Sequence, residues 1–272
     1  MRLINIHPGK GGRLLLAALP FVLLALAYLI GSALRLADNP GDKLLPSLGA
    51  MGRMVEVMAF TPDKRTGDYL LWTDTAASLI RLWSGLAIAT LIALVLGLLN
   101  GVLPVARAML APIVAFLSMV PPLALLPVLF IALGLGEVSK IALIVIGVAP
   151  ILTRDLALTA AALPREQIVK AETLSASSWL IAWRVVLPQV MPRLIDSLRL
   201  QLGPAFLFLI AAEAISAEGG LGYRIFLVRR YLSMDIIFPY VIWITFLAVA
   251  MDLCLRMMRR RLYPWAEPEG QP

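Results

Sequence analysis

Residues able to do chemistry are scarce in this chain, and the scarcity narrows what it can be. There is one histidine, His7, near the N-terminus, and one cysteine, Cys254, inside an apolar run. A single terminal histidine reads as a solvated residue and excludes a conventional Ser-His-Asp triad in the body of the chain. A lone cysteine excludes an internal disulfide and says nothing about compartment. Neither a Gly-x4-Gly-Lys-Ser/Thr loop nor a His-Glu-x-x-His pair is present, so any ATP hydrolysis belongs to another chain. No catalytic residue, cofactor or metal is expected. What remains are charges set inside apolar runs, which are functional candidates by default. Arg154 and Asp155 are adjacent, so they point about 100° apart on a helix and cannot form one simple pair. Arg154 either snorkels toward the inner face or attracts an anion in a cavity. Glu213, near the outer end of its run, either orders an outer gate or makes a structural hydrogen bond. Asp252 reads as pairing with an arginine of the C-terminal tail.

The elements that must hold these groups follow from composition. The chain has 272 residues, 60% hydrophobic and 15% charged. A soluble core of this length cannot hide that excess, so the chain reads as all-α and polytopic. Uncharged runs near 20 residues mark the candidate spans. Leu14–Leu34 and Leu82–Leu103 are clean. The run 108–136 is broken by Pro112, Pro121, Pro122 and Pro127. The runs 141–163, 194–217 and 236–255 are apolar except for Arg154 and Asp155, for Asp196, Arg199 and Glu213, and for Asp252, and six spans result. The first run is too long for a signal peptide core and lacks a clean cleavage site, so it is expected to stay as a transmembrane helix.

Orientation follows from Lys and Arg. With the N-terminus inside, the inner segments carry thirteen bases and six acids, and the outer segments nine of each. The net charge of +7 therefore sits on one face, which needs no nucleic-acid partner. The tail Arg256-Met-Met-Arg259-Arg260-Arg261 fits an anchor at an anionic inner leaflet. The expected layout is an inner N-terminus over 1–13 and a first helix over 14–34. An outer segment over 35–74 follows, with a mildly amphipathic piece at 48–60. The core spans 75–262, with an inner insertion at 164–193, and a disordered inner tail covers 263–272.

The inner insertion carries its own helical pattern. Pro164-Arg165-Glu166 reads as a helix start. Ile168, Ala171 and Leu174 or Ser175 form one stripe. Trp179, Ala182, Trp183 and Val186 form a second at i, i+3, i+4 and i+7. The small residues Ser175-Ala176-Ser177-Ser178 between them allow a tight turn, and Pro188 and Pro192 are expected to stop the second helix. Two short angled helices make a knob for a partner's groove, or else an amphipathic segment lying on lipid headgroups; periodicity leaves both open. In the third span, Pro121, Pro122 and Pro127 break helical hydrogen bonds, as a bent pathway segment or as a packing kink. Ser118 and Met119, just before the break, are pathway candidates with Pro121 and Pro122. Phe206, Ile210 and Glu213 share a face at i, i+4 and i+7. Six spans are too few to enclose a solute path, so two copies are expected to bring these faces together; the rival is that Phe206 and Ile210 face lipid.

The insertion also resembles a known family. Permease subunits of ATP-binding-cassette importers carry a loop of the form Glu-Ala-Ala, three residues, Gly, nine residues, Ile, one residue, Leu-Pro. This chain has Val169-Lys170-Ala171, three residues, Ser175, nine residues, Val185, Val186 and Leu187-Pro188. Pro121-Pro122, Pro127, Gly134 to Lys140, Pro192, Leu198-Arg199, Gly203, Ala212-Glu213 and Gly220-Leu221-Gly222 also look like the family. The resemblance covers about 79–265 and is nearest the branch importing nitrate, bicarbonate, taurine and alkanesulfonates. It implies a type I importer permease fold with a cytoplasmic coupling helix, in a bacterial inner membrane with both termini cytoplasmic. It implies a homodimer, two ATPase subunits and a solute-binding protein outside. The solute would be small and anionic. The implied coupling residues are Lys170, Ala171, Glu172, Leu174, Ser175, Ala176, Ser177, Trp179, Leu187 and Pro188. The departures at Val169, Lys170 and Ser175 put a family salt bridge and the turn geometry at issue, because Ser adopts φ > 0 less cheaply than Gly. Other classes are a stand-alone channel or secondary transporter, an importer of another small organic solute, and a membrane enzyme, for which clustered acids or histidines are missing.

Overall fold

Twelve α-helices follow one another among the described residues, with no strand. The computed structural model describes residues 9–64 and 66–266. His7, Arg2, Arg65 and the end of the tail, 267–272, lie outside them. The chain forms two units. One is the chain up to Tyr69 with Val228–Val241; the other is Leu70–Leu227 with Ile242 onward.

In the first unit, α1 (Lys10–Asp38) and α2 (Leu48–Phe60) are joined by a turn that α1 itself pins. The Tyr28 hydroxyl donates to the Pro46 carbonyl at 2.6 Å and the Ser32 hydroxyl to the Leu45 carbonyl at 3.0 Å. Ser47 caps α2 by accepting from the Ala50 N–H at 3.1 Å, satisfying a donor that the first turn leaves free. Asp42 accepts from the Leu44 N–H and pairs with Arg35 at 2.5 Å. Those two contacts, the backbone one first, hold its carboxyl below the usual range. α1 is 29 residues long and exposed along nearly all its length, as a helix in lipid would be.

The second unit is organised by two parallel helices, α3 (Leu70–Val102) and α6 (Glu137–Ala161). Small residues recur at every fourth position of α3: Gly85, Ala89, Ala93, Gly97 and Gly101. They let the backbones approach closely, which is how helices associate where no hydrophobic force separates lipid from protein. A Cβ at Gly85 would meet Ile144 at 2.8 Å, one at Gly97 would meet Leu156 at 2.9 Å, and one at Gly101 would meet Ala160 at 2.5 Å. Each pair is offset by the same 59 positions, so the two helices run in the same direction and in register.

That register decides how the broken segments cross. The chain leaves α3 at Val102 and enters α6 at Glu137, beside Arg81 at the opposite end. The segment between must span the same thickness. It does so as α4 (Pro104–Met119) and α5 (Leu126–Leu133), bent by 84° around the 3₁₀ turn Pro122–Leu125. The expected third span is thus one crossing, sharply broken at the predicted prolines. Arg107 bonds the Asn100 carbonyl at 3.0 Å and the Gly101 carbonyl, capping α3 one residue before α4 begins.

α7 (Arg165–Thr173) and α8 (Ser178–Ile181) follow at the Val102 end. α9 (Leu187–Leu200) and α10 (Leu202–Ser216), bent by 45°, return antiparallel to α6. The register shows this: Arg193 and Ser197 bond Asp155, Phe208 packs on Gly147, and Glu213 reaches Arg81. α11 (Leu221–Arg229) lies at the Arg81 end. α12 (Met234–Leu262) then descends: Trp243 bonds Thr75 at 2.9 Å, and Asp252 bonds Arg199 lower down. Four helices, α1, α3, α6 and α12, are long and apolar enough to cross a membrane, and counting each bent pair as one span brings the number up to the expected six. Asp252 is a correction: its partner is Arg199, at 2.8 and 3.0 Å, and the tail's Arg259 pairs with Asp196 instead. Pro264–Ala266, expected disordered, forms a short 3₁₀ turn bonded through the Ala266 carbonyl to Arg259.

Candidate functional site

The insertion over 164–193 folds as a knob at the Val102 end. α7 starts after Pro164, as expected. It ends in a Schellman motif: the Ser175 N–H donates to the Glu172 carbonyl at 2.9 Å and the Ala176 N–H to the Ala171 carbonyl at 3.1 Å. Ser175 takes φ +61° there, so it occupies the left-handed position where the family pattern has Gly. Ala171 and Ala176 pack together against the core of Leu156, Ile181, Val186 and Val190. Ser177 caps α8, accepting from the Leu180 N–H at 3.3 Å.

Two expectations about the knob need correction. Pro188 and Pro192 do not stop the second helix, which runs on from Ser178 to Leu200. A π turn over Ala182–Val186, closed by the Leu187 N–H to the Ala182 carbonyl, precedes Pro188. Proline needs its i−4 carbonyl moved aside and offers no N–H; a wider turn supplies the room. The π turn also shifts the register by one residue. The stripe Trp179, Ala182, Trp183, Val186 is therefore split. Ile181, Val186, Val190 and Leu194 face the core. Trp179 (68% exposed) and Trp183 (50%) face outward and stack edge-on at 5.6 Å. With Ala182, Leu187 and Met191 they border an apolar groove of about 680 Å³ against Leu94, Leu98 and Val102 of α3.

Of the expected coupling residues, Leu174 (76% exposed), Lys170, Glu172, Ser175, Ser177, Trp179 and Pro188 are on the surface. Ala171, Ala176 and Leu187 are half-buried and hold the knob onto the core. The pathway candidates divide likewise. Met119 is 75% exposed and Pro121 exposed, with Pro122 half-buried, at the 84° break. Ser118 donates its hydroxyl to the Val114 carbonyl at 2.6 Å within its own helix. Phe206 (4% exposed) and Glu213 (0%) are buried in the protomer, so the expected shared wall of Phe206, Ile210 and Glu213 is a correction; Ile210 is half-buried. The open face of α10 runs through Pro204, Leu207 and Ile215.

At the opposite end stands a cluster that reasoning from uncharged runs passes over. Asp74, Ser78 and Arg81 share one face of α3 at i, i+4 and i+7. Arg81 donates to Glu213 at 2.7 Å, to the Gly219 carbonyl at 2.8 Å, and to both oxygens of Glu137 at 2.5 and 2.9 Å. Lys140 also holds Glu137, at 2.8 Å. Three successive N–H groups point into the cluster: Gly220 to Asp74 at 3.0 Å, Leu221 to Ser78 at 2.8 Å and Gly222 to Glu213 at 2.8 Å. The turn can approach only because it is glycine: Gly220 has φ +130°, and a Cβ there would lie 2.6 Å from the Glu213 carboxyl. Arg224 closes the set on Asp74 at 2.8 Å. Of the two readings for Glu213, the structural hydrogen bond is present.

Residues 85–267 match the family described as binding-protein-dependent transport system inner membrane component, and the chain belongs to that family. It is thus a multi-pass inner-membrane permease of an ATP-binding-cassette transport system, in which an ATPase subunit and a binding protein are separate partners. Over 225 residues it is 37% identical to the taurine transport system permease protein of Escherichia coli K12, covering 82% of this chain and 77% of that one. Over 249 residues it is 32% identical to the bicarbonate transport system permease protein of Synechococcus elongatus, covering 88% of each. In fold it resembles the methionine ABC transporter solved in inward facing conformations, with TM-score 0.63 and 20% identity, over 71% of this chain and 96% of that one.

Proposed function

We propose that two copies of this chain form the membrane path for a small anionic solute of the sulfonate or bicarbonate type, delivered by a binding protein. The taurine and bicarbonate permeases among its relatives support the solute class. In this reading the knob between Pro164 and Pro188 docks on an ATPase from the cytoplasmic side. The knob, the N-terminus and the C-terminus then share that side, in keeping with the excess of Lys and Arg there. The segment 35–74 faces out.

The observation that carries this reading is the knob itself. Leu174, Trp179, Leu180 and Trp183 are large apolar side chains left exposed on a short helical hairpin whose turn is capped on both sides, by the Ser175 and Ala176 N–H groups and by Ser177. Closing of the ATPases would draw two such knobs together and reverse the side to which the path opens. Met119 and Pro121 at the break of α4–α5, with Ser118 and Pro122 behind them, and the open face of α10 would line that path. Phe206, Ile210 and Glu213 would support the wall from within. Replacing Ala176 or Ser177 by Trp should uncouple ATP hydrolysis from uptake while membrane insertion is unchanged. Normal solute-stimulated ATPase activity in such a variant, reconstituted with ATPase and binding protein, would refute docking at the knob.

A further inference from the structure

Of the four charged residues on α6, three are answered by partners. Glu137 has Arg81 and Lys140, and Asp155 has Arg193 at 3.0 Å. Arg154 is exposed, and its side chain makes no hydrogen bond or ion pair among the described residues. It lies seven residues before the end of α6 at Ala161, about 10 Å inside at 1.5 Å per residue. An arginine at such depth is expensive unless an anion or water reaches it.

Its surroundings are asymmetric. Gly147, Ile151, Arg154 and Leu158 form one stripe at i, i+4, i+7 and i+11. The Phe208 ring of α10 covers the upper end: a Cβ at Gly147 would sit 2.3 Å from it. Ile151, Arg154 and Leu158 below are exposed. The stripe is therefore roofed near the middle of the crossing and open toward the Val102 end.

A second unanswered group lies at a similar level along the crossing. Gln201 is the one residue between α9 and α10, at their 45° bend. Its Oε1 is buried and has no hydrogen-bond partner among the described residues. α9 runs antiparallel to α6, and Ser197 bonds Asp155. One turn onward along α9 and one turn back along α6 therefore bring Gln201 level with Ile151. A buried amide oxygen that lacks a donor is costly, and the Arg154 guanidinium presents only donors, so its own missing partner is an acceptor. A molecule with an anionic group and a hydrogen-bond donor would satisfy both.

We propose that Arg154 and Gln201 form the inner solute site: Arg154 takes the anionic group and the Gln201 amide oxygen accepts from a donor on the same molecule. This rests on the reading of the chain as the path for a small anionic solute, and adds that the solute also carries a donor.

The test uses the permease–ATPase complex without nucleotide and without binding protein. Equilibrium binding is measured for taurine, which has a sulfonate and an ammonium, and for ethanesulfonate, which lacks the donor. Wild type should bind taurine more tightly. Arg154→Gln should weaken both by roughly tenfold, the scale of one charge-assisted contact, and Arg154→Lys should recover most of it. Gln201→Leu should weaken taurine and spare ethanesulfonate. In a Cys254→Ala background, Arg154→Cys should regain binding with a cationic methanethiosulfonate reagent and not with an anionic one. Unchanged taurine binding in Arg154→Gln, or equal responses to the two reagents, overturns the site and leaves Arg154 as a headgroup anchor. If wild type neither binds nor takes up taurine or bicarbonate under ATP, the anionic-solute reading itself falls, and the site with it.

Discussion

The two ends of the core are built on opposite principles. At the Arg81 end, six charges, three of each sign, are locked with Ser78 and three backbone N–H groups into one cluster joining α3, α6, α10 and the turn before α11, buried except at Glu137, whose side chain is exposed. At the Val102 end the contacts are apolar and partly open: a knob held by alanines and a groove edged by two exposed tryptophans. A desolvated ionic cluster is costly to take apart, because every group removed strands another. An apolar surface with a capped backbone can part from one partner and meet another at little cost. The contrast teaches where the subunit holds its shape and where it is free to engage.

Removing Arg81 should break that contrast most severely. Arg81→Met leaves Glu213 without its cation and Glu137 with Lys140 alone. The cost should be about 3–5 kcal/mol, read as an earlier thermal transition of the detergent-solubilised permease. Adding Glu213→Gln should recover part of the loss, because the two sites couple. A wild-type transition in Arg81→Met would show that the cluster does not hold this end of the core together. Gly220→Ala comes next. Its Cβ meets the Glu213 carboxyl at a backbone angle that favours glycine, and the strain should cost about 1–3 kcal/mol. Gly203→Ala, with open space around it, serves as the control and should shift the transition far less.

At the other end the expected effects are smaller and one has the reverse sign. Ser175→Gly removes the left-handed penalty on a side-chain-bearing residue and should stabilise the knob by roughly 1 kcal/mol. Slower amide hydrogen exchange across 165–178 would register it, and faster exchange would contradict it. Leu174→Asp alters an exposed position and should leave the thermal transition within about 0.5 kcal/mol, yet abolish solute-stimulated ATPase activity. A variant that loses both together would erase the distinction between the ends.

Much of this was legible from residue types. Long apolar runs mark the crossings, and Pro121, Pro122 and Pro127 mark the break in the third. The turn at Ser175 follows from small residues after an amphipathic stretch. The Arg81 cluster was hidden for a physical reason. A search for uncharged runs starts the second span at Leu82, and so discards a helix whose first three turns carry charge because that charge is paired inside the protein. The spacing of Asp74, Ser78 and Arg81 was the available signal. Pro188 misled in the other direction: proline ends a helix only where the turn before it is α, and the π turn over 182–186 relieves the clash. The partner of Asp252 was out of reach, since nothing local to α12 says that α9 passes beside it.

The parallel pairing of α3 and α6 bears on how the protein is made. A helical hairpin can close as soon as its second arm is inserted. Here the small-residue face of α3 must wait for a helix that begins after an intervening crossing, with contacts 59 positions later in the chain. At bacterial synthesis rates of ~5–20 residues per second, α3 spends roughly 3–12 s in the bilayer before its match is translated. During that interval Gly85, Gly97 and Gly101 form a sticky stripe open to any other helix nearby. Insertion factors that shelter nascent helices should therefore matter most for this subunit between the synthesis of Val102 and that of Ala161.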